Sequence, residues 1–336
     1  MRRFAQLAKS GAEFDRSRPI AWFFLAFSTA YVARIVLTLD GARPYESHPG
    51  ALSEPAIFSC LGILALSIAR VCGARNPVPF PELVLLAADR LKGGFLHGFH
   101  MPAADQFLLA FDRNYGYAGI ALGKLAFFLP ALDRVFVLVY EAEAMAIPLM
   151  YALLPRKARA KYGAAVLLLG ALIPAMYRLC PGAGPGYLMA GFPFAPVSLA
   201  APHLQLLNGV LNTTPSGHFG WALLMFWFAS RYGGKPLRIG AGLFAAAIAI
   251  ATLVTGEHYL IDLVLSVPFG AGVWALVHRS WRLAVLSLAV TALWCVALAN
   301  GAALALPPIV AWILTAATIG PFALRGAAPL GEGACS

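Results

Sequence analysis

Long apolar runs, each closed by a short polar connector, occupy most of this chain. Runs close to the ~20 residues that cross a bilayer fall at 20–39, 56–72, 135–154, 163–180, 217–231, 237–255, 259–277, 283–300 and 304–323. The pattern predicts an all-α protein, a polytopic transmembrane helix bundle of about 9–10 spans. The count turns on 82–132. There 118–132 is apolar enough for a tenth span but is short and interrupted by Lys124. The alternative is a set of amphipathic helices lying on the outer surface.

Two short polar stretches stand at the edges of these runs. Pro215-Ser216-Gly217-His218 leads into one, and Glu257-His258-Tyr259-Leu260-Ile261-Asp262, forty residues after the first histidine, leads into another. Ionisable side chains at membrane depth are expensive and default to a functional reading. Together these stretches supply two histidines, a carboxylate and a serine-glycine turn with free backbone N–H groups, the parts needed for phosphoryl transfer.

Composition narrows the class. Hydrophobic residues make up 60% of the 336 positions and charged residues only 12%, against about 25% charged in a soluble domain. The net charge of +10 raises nucleic acid as a partner, and the placement of that charge removes it. Arg156, Lys157, Arg159 and Lys161 fill one connector, Arg231, Lys235 and Arg238 a second, and His278, Arg279 and Arg282 a third. Cations clustered between spans are the positive-inside signal, and no nucleic-acid motif accompanies them. These connectors are expected on the cytoplasmic side. Residues 181–216 and the 255–259 turn then share the outer face of a multi-pass cell-membrane protein.

The remaining polar features say less. The basic stretch Met1 to Arg18 precedes a span too long for a signal-peptide core and reads as a retained anchor. Cys60, Cys72, Cys180, Cys295 and Cys335 form no close pair; most sit in spans, where a free cysteine is a small hydrophobe. The connector 181–216 carries Pro181, Gly182, Gly184, Pro185, Gly186, Pro193, Pro196, Pro202 and Pro215, so it is not helical throughout. A connector of that length is usually functional. Its Gly-x-Gly is not a dinucleotide fingerprint, since no strand precedes it and Pro185 interrupts the helix that would follow.

Spacing assigns roles within the two motifs. Asp262 lies four residues after His258, so on a helix the two side chains share a face. The carboxylate can accept a hydrogen bond from one ring nitrogen, fix the tautomer and leave the other nitrogen to attack phosphorus. Ser216 and Gly217 sit where the connector enters a span, and a helix N-terminus is an anion site. His218, one residue on, is placed to protonate a leaving oxygen. Each feature also has a plain structural reading: an interfacial histidine, a satisfied His–Asp pair, a serine that only caps its helix. Two histidines and one aspartate can also hold zinc, but a third strong ligand is lacking. Both motifs on one face, each at a helix start, favour chemistry over structure.

The order and spacing of Pro215-Ser216-Gly217-His218 and His258-x-x-x-Asp262 resemble the type 2 phosphatidic acid phosphatase (PAP2) superfamily. The wording Thr255-Gly256-Glu257-His258-Tyr259-Leu260-Ile261-Asp262 looks most like its lipid phosphotransferase branch, which holds inositol phosphorylceramide synthases and, more distantly, sphingomyelin synthases. Phe111-Asp112-Arg113-Asn114-Tyr115-Gly116 and Pro181 to Tyr187 are similar in style to upstream blocks of that branch. The resemblance implies a six-helix core, no metal or other cofactor, and a phosphohistidine on His258. Asp262 would be its partner, His218 the acid, and Ser216 and Gly217 phosphate ligands. The implied substrates are phospholipid or ceramide-like membrane lipids. On this reading 1–134 holds N-terminal spans and an outer-face amphipathic region, 135–277 the catalytic core, 278–324 extra spans and 325–336 a disordered tail.

Departures from the phosphatase branch refine the expectation. That branch has Lys, six residues, then Arg-Pro, and no such string occurs here. It also has an arginine six residues before the nucleophile, where this chain has Thr252. A dianionic phosphate held by N–H groups alone is under-neutralised. Arg178 is the best substitute cation, ahead of Arg113 and Lys92. The losses favour headgroup transfer between lipids over a plain lipid phosphate phosphatase, and they leave an inactive lipid-binding or transport protein as the alternative from another class. A transporter would tend to show internal repeats, and no such symmetry is visible.

Overall fold

The structure, a computed structural model, describes residues 104–188, 191–194 and 213–327. The expected spans at 20–39 and 56–72, and Lys92, lie outside those residues. Among the described residues the fold is all-α, with no strand. The helices are α1 (Asp105–Asp112), α2 (Ala118–Phe127), α3 (Pro130–Leu153), α4 (Arg156–Leu179), the single turn α5 (Pro185–Leu188), α6 (Gly217–Tyr232), α7 (Lys235–Val254), α8 (Leu260–Val277), α9 (Trp281–Ala299) and α10 (Pro308–Ala327). Five of them, α3, α4, α7, α8 and α9, are long and apolar enough to cross a bilayer.

The long helices alternate in direction, so their connections fall at two ends. One end gathers Leu154–Pro155, Gly233–Gly234 and the 278–280 turn. It is tight because the residues there permit it. Pro155, extended, allows α4 to start at once, and the basic connector expected over 155–162 becomes the first turns of α4. Arg159 then reaches back to donate to Ala152 O at 2.7 Å and Leu154 O at 2.8 Å, satisfying carbonyls that the end of α3 leaves without helical partners.

The opposite end gathers 181–184, 213–216 and 255–259. Here, in the described part of 82–132, lie α1 and α2. Their 8 and 10 residues span about 12 and 15 Å, too little for a ~30 Å hydrocarbon core. Nor is α1 a surface helix: Leu108 and Phe111 are fully buried, packed with Tyr259, Ile261, Leu265, Cys180, Cys295 and Leu298. At the C-terminal end, helix α10 continues to Ala327, into the stretch expected to be disordered from 325.

Helix α8 is the axis of the bundle. Nearly every residue from Ile261 to Ala275 is buried, and it packs on α9, α10, α6 and α4. An all-round apolar helix has no polar face to present, so it takes the centre. Inside a bilayer, close packing rather than water exclusion holds helices together. Gly272 meets α9 so closely that a Cβ there would lie 2.8 Å from Leu288 Cγ. Trp221, Trp227 and Phe228 of α6 and Trp274 of α8 fill the far half of the core.

Candidate active site

Helix α6 is the shortest of the long helices, and that shapes the site. Its 16 residues cover about 24 Å, short of the ~30 Å hydrocarbon core. Its N-terminus is buried in the bundle, at Ser216 and Gly217. Ser216 is its N-cap: the side-chain oxygen accepts from Phe219 N at 3.2 Å, and Ser216 N donates to Asp262 O at 3.2 Å. The hydroxyl of Ser266 donates to both Ser216 O, 2.9 Å, and Asp262 O, 2.7 Å. The starts of α6 and α8 are thereby laced together. The first N–H groups of α6, at Gly217 and His218, have no acceptor inside the helix and lie at its positive end.

His258 stands in the turn between α7 and α8. Gly256 makes that turn with φ +73°, a backbone region open to glycine, and any Cβ there would meet Gly186 N at 2.9 Å. The imidazole is 3% exposed. Its Nδ1 lies 3.0 Å from Thr213 O. A carbonyl only accepts, so Nδ1 carries a hydrogen, and in the neutral ring Nε2 is the nitrogen with the lone pair. The carboxylate expected to receive that proton stands slightly back, with Asp262 Oδ2 3.5 Å from Nδ1. Asp262 spends its hydrogen bonds elsewhere. It accepts from Thr214 Oγ1 at 2.6 Å and from Tyr259 N at 2.8 Å, the latter capping α8. The carbonyl of Thr213 orients the ring, and the buried carboxylate stands beside it as a counter-charge.

His218 faces His258 with ring centroids 6.2 Å apart. On its other side the Tyr140 ring lies 4.1 Å away at 31°, with Tyr140 Oη 3.0 Å from Nδ1. Glu143 Oε2 is 3.9 Å from Nε2. Both partners come from α3, about 15 and 20 Å along from its first residue at 1.5 Å per residue.

The wall behind His258 is built on two buried aspartates. Asp105 Oδ1 accepts from Ala183 N at 3.0 Å, Gly184 N at 3.1 Å and the Tyr259 hydroxyl at 2.9 Å. Asp112 Oδ1 accepts from Leu260 N at 3.1 Å. Burial pushes their carboxyl groups up to about 6 and about 7, although the N–H donors pull the other way. One carboxylate thus ties the 181–184 segment to the residue after His258. Gly184, at φ +91°, passes so close to Glu257 that a Cβ would collide with its backbone. Tyr187 donates to Glu257 Oε1 at 2.7 Å, and Gly186 N donates to Gly256 O at 2.8 Å.

The structure brings His258, Asp262, His218, Ser216 and Gly217 together. The proposed cations are less central. Arg178 is exposed in the last turn of α4, and Arg113 is exposed in the 3-10 turn after α1. Thr252 is fully buried and bonds its own helix, donating to Ala249 O at 3.0 Å. Among the described residues no group of three His, Cys, Asp or Glu side chains is disposed to hold a metal ion. Residues not singled out from sequence also matter: Thr213, Thr214, Tyr140, Glu143 and Asp105. Glu143 and Asp105 were findable by the rule that marked His258, since each is an ionisable residue flanked by apolar ones.

The two imidazoles thus face each other across the gap, ring centroids 6.2 Å apart, beside the N-terminus of α6. The description of the PAP2 superfamily matches residues 106–276, just over half of the chain, running from α1 to the end of α8. No curated protein and no solved structure matches it. The extent of the family match, with both polar motifs inside it, places this chain in the PAP2 superfamily.

Proposed function

We propose that this protein transfers a phosphoryl-linked headgroup between membrane lipids through a phosphohistidine on His258. The observation that carries the reading is the locked tautomer of His258, with Nδ1 held by Thr213 O at 3.0 Å and Nε2 left as the nucleophile. In the first step Nε2 bonds to phosphorus as the bond to the leaving oxygen breaks. His218, protonated, gives its proton to that oxygen. The positive charge that develops on the phosphorylated ring is offset by Asp262, 3.5 Å from Nδ1. Gly217 and the cap of α6 offer N–H groups to the phosphoryl oxygens.

In the second step an acceptor hydroxyl attacks phosphorus, its proton returns to His218, and the N–P bond breaks. An alcohol acceptor makes the protein a transferase; water makes it a hydrolase, and a lipid phosphate phosphatase where the donor is a phosphomonoester. The buried Thr252, where a phosphatase has its clamping arginine, supports transfer. The cationic connectors at the opposite end support an outer-face site, in keeping with the positive-inside rule, and neither step calls for a metal. Incubation of purified protein with labelled phospholipid, with and without a long-chain alcohol acceptor, tests the assignment. Labelled headgroup on the alcohol is expected. Release of the phosphorylated headgroup to water alone contradicts transfer, and turnover that survives His258→Ala contradicts the phosphohistidine.

A further inference from the structure

A general acid needs a proton it can give and regain, and the surroundings of His218 specify how. Its Nε2 faces the Glu143 carboxylate at 3.9 Å, and its Nδ1 faces the Tyr140 hydroxyl at 3.0 Å. A lone pair on Nε2 would point at a negative charge, so Nε2 carries a hydrogen. That hydrogen is a useful acid only when the ring is the imidazolium, because a neutral imidazole does not surrender its N–H. The imidazolium gives its Nδ1–H to the phenol oxygen and, with the carboxylate 3.9 Å away as a counter-charge and not a hydrogen-bond acceptor, keeps its Nε2–H for the leaving oxygen. Glu143 is 2% exposed, and a buried carboxylate is held by a compensating charge. The Tyr140 ring at 4.1 Å adds the attraction of a π face for a cation.

We propose that Glu143 and Tyr140 are the positioning pair of the general acid, holding His218 as the imidazolium with its Nε2–H turned toward the leaving oxygen. The proposal rests on the phosphohistidine reading above. The 3.9 Å separation matters as much as the pairing: it is longer than a hydrogen bond, so the proton is stabilised on His218 without being lost to the carboxylate. When the P–O bond breaks, the Nε2 proton goes to the departing oxygen and Glu143 faces a neutral ring. When the acceptor hydroxyl attacks, its proton returns to Nε2 and the ion pair is restored. No outside acid or base enters the cycle.

Other titratable groups surround this pair. From α3 come Tyr140, Glu141 and Glu143; the α5 turn brings Tyr187, and the turn before α8 brings Glu257. Tyr162 of α4 lies within electrostatic range of Glu143, His258 stands across the gap at 6.2 Å, and Asp262 lies behind it.

Leaving-group dependence separates this role from simple support of the fold. The probes are dodecyl p-nitrophenyl phosphate, whose nitrophenolate departs without a proton, and didodecyl phosphate, whose alkoxide does not. Glu143→Gln is expected to lower kcat/KM, which reports only the step that expels the leaving group, for the alkyl ester by about 100-fold, within the range of general-acid contributions, and for the nitrophenyl ester by less than about 3-fold. The alkaline limb of the kcat/KM profile for the alkyl ester is expected to move about one pH unit lower. Glu143→Asp, which keeps the charge, should recover part of both effects. Tyr140→Phe, which keeps the ring, should show the same pattern with a loss of about 5-fold on the alkyl ester. Equal losses on both esters, or an unmoved alkaline limb in Glu143→Gln and Tyr140→Phe alike, overturn the role. Phosphate on His258 is read separately in the wild type with the nitrophenyl probe: its absence overturns the underlying reading and this role with it, whereas its presence beside equal losses overturns this role alone.

Discussion

The two ends of the bundle each hold a histidine against a tyrosine, and only one of them has the makings of chemistry. At the tight end, Tyr232 Oη lies 3.0 Å from His278 Nε2 with the rings stacked at 12°, and Nδ1 faces Trp274 O at 2.8 Å. Its charged neighbours are Lys161 and Arg231; burial first, and then these cations, push its pKa down. That ring is a neutral link between α6 and α8. At the other end Tyr140 Oη also lies 3.0 Å from a histidine nitrogen, Nδ1 of His218, with the rings closer and tilted at 31°, but Glu143 stands in place of the cations and His258 lies across the gap. A His–Tyr pair can thus serve as a packing device, and on the proposed reading the sign of the neighbouring charge is what would make an acid of His218.

The comparison breaks most sharply under alanine. His258→Ala should reduce turnover on the order of 10^4-fold or more, whereas His278→Ala should leave kcat within about 2-fold and cost only stability. A thermal melt and a turnover assay on both variants check this; a large kcat loss in His278→Ala would erase the distinction between the ends. A second test falls on the wall of the site. Asp105→Ala strands Ala183 N, Gly184 N and the Tyr259 hydroxyl, each buried orphan costing about 1–3 kcal/mol. A marked fall in Tm with loss of activity is expected, while Thr214→Val, which removes one bond to Asp262, should cost about 1–2 kcal/mol. Equal Tm values for the two variants would show that the aspartate does not organise the loop.

Acidity sharpens the contrast further. The Asp112 carboxyl titrates near 7 in the folded protein, against about 4 in an unfolded chain. Between those values the folded state keeps a proton that the unfolded state has lost, so this group's contribution to stability falls as pH rises, by up to about 1.4 kcal/mol per unit. Asp112→Asn retains an acceptor for Leu260 N and does not titrate. Melts at pH 5 and pH 8 should show wild type losing stability relative to Asp112→Asn at the higher pH. The reverse slope would mean that the carboxylate is better solvated than its burial implies. The smallest effect expected is none: EDTA should leave turnover unchanged, and loss restored by zinc would reassign the histidines as ligands.

Much of this was legible in the sequence, for definite reasons. Apolar runs of span length and cationic connectors announce a helical membrane bundle because bilayer thickness and charge asymmetry act on residue type alone. The two motifs were legible because each packs its polar groups into a few consecutive residues. What escaped depends on contacts across the chain. Nothing local says that Thr213 offers its carbonyl to His258, 45 residues on, or that Tyr140 and Glu143 reach His218 from the middle of α3. Asp105 meets Tyr259 across 154 residues. The short helices α1 and α2 were ambiguous because their apolar content suits a buried half-helix as well as a surface one.

The central claim is a covalent one, and it has a direct test. The purified protein, mixed with phospholipid donor and quenched under alkaline conditions that preserve N–P bonds, is digested and read by mass spectrometry. The account predicts phosphate, with its headgroup attached when transfer is the reaction, on the peptide containing His258, and its disappearance when an alcohol acceptor is added. Phosphate on His218 instead, or no phosphorylated peptide during active turnover, would contradict it.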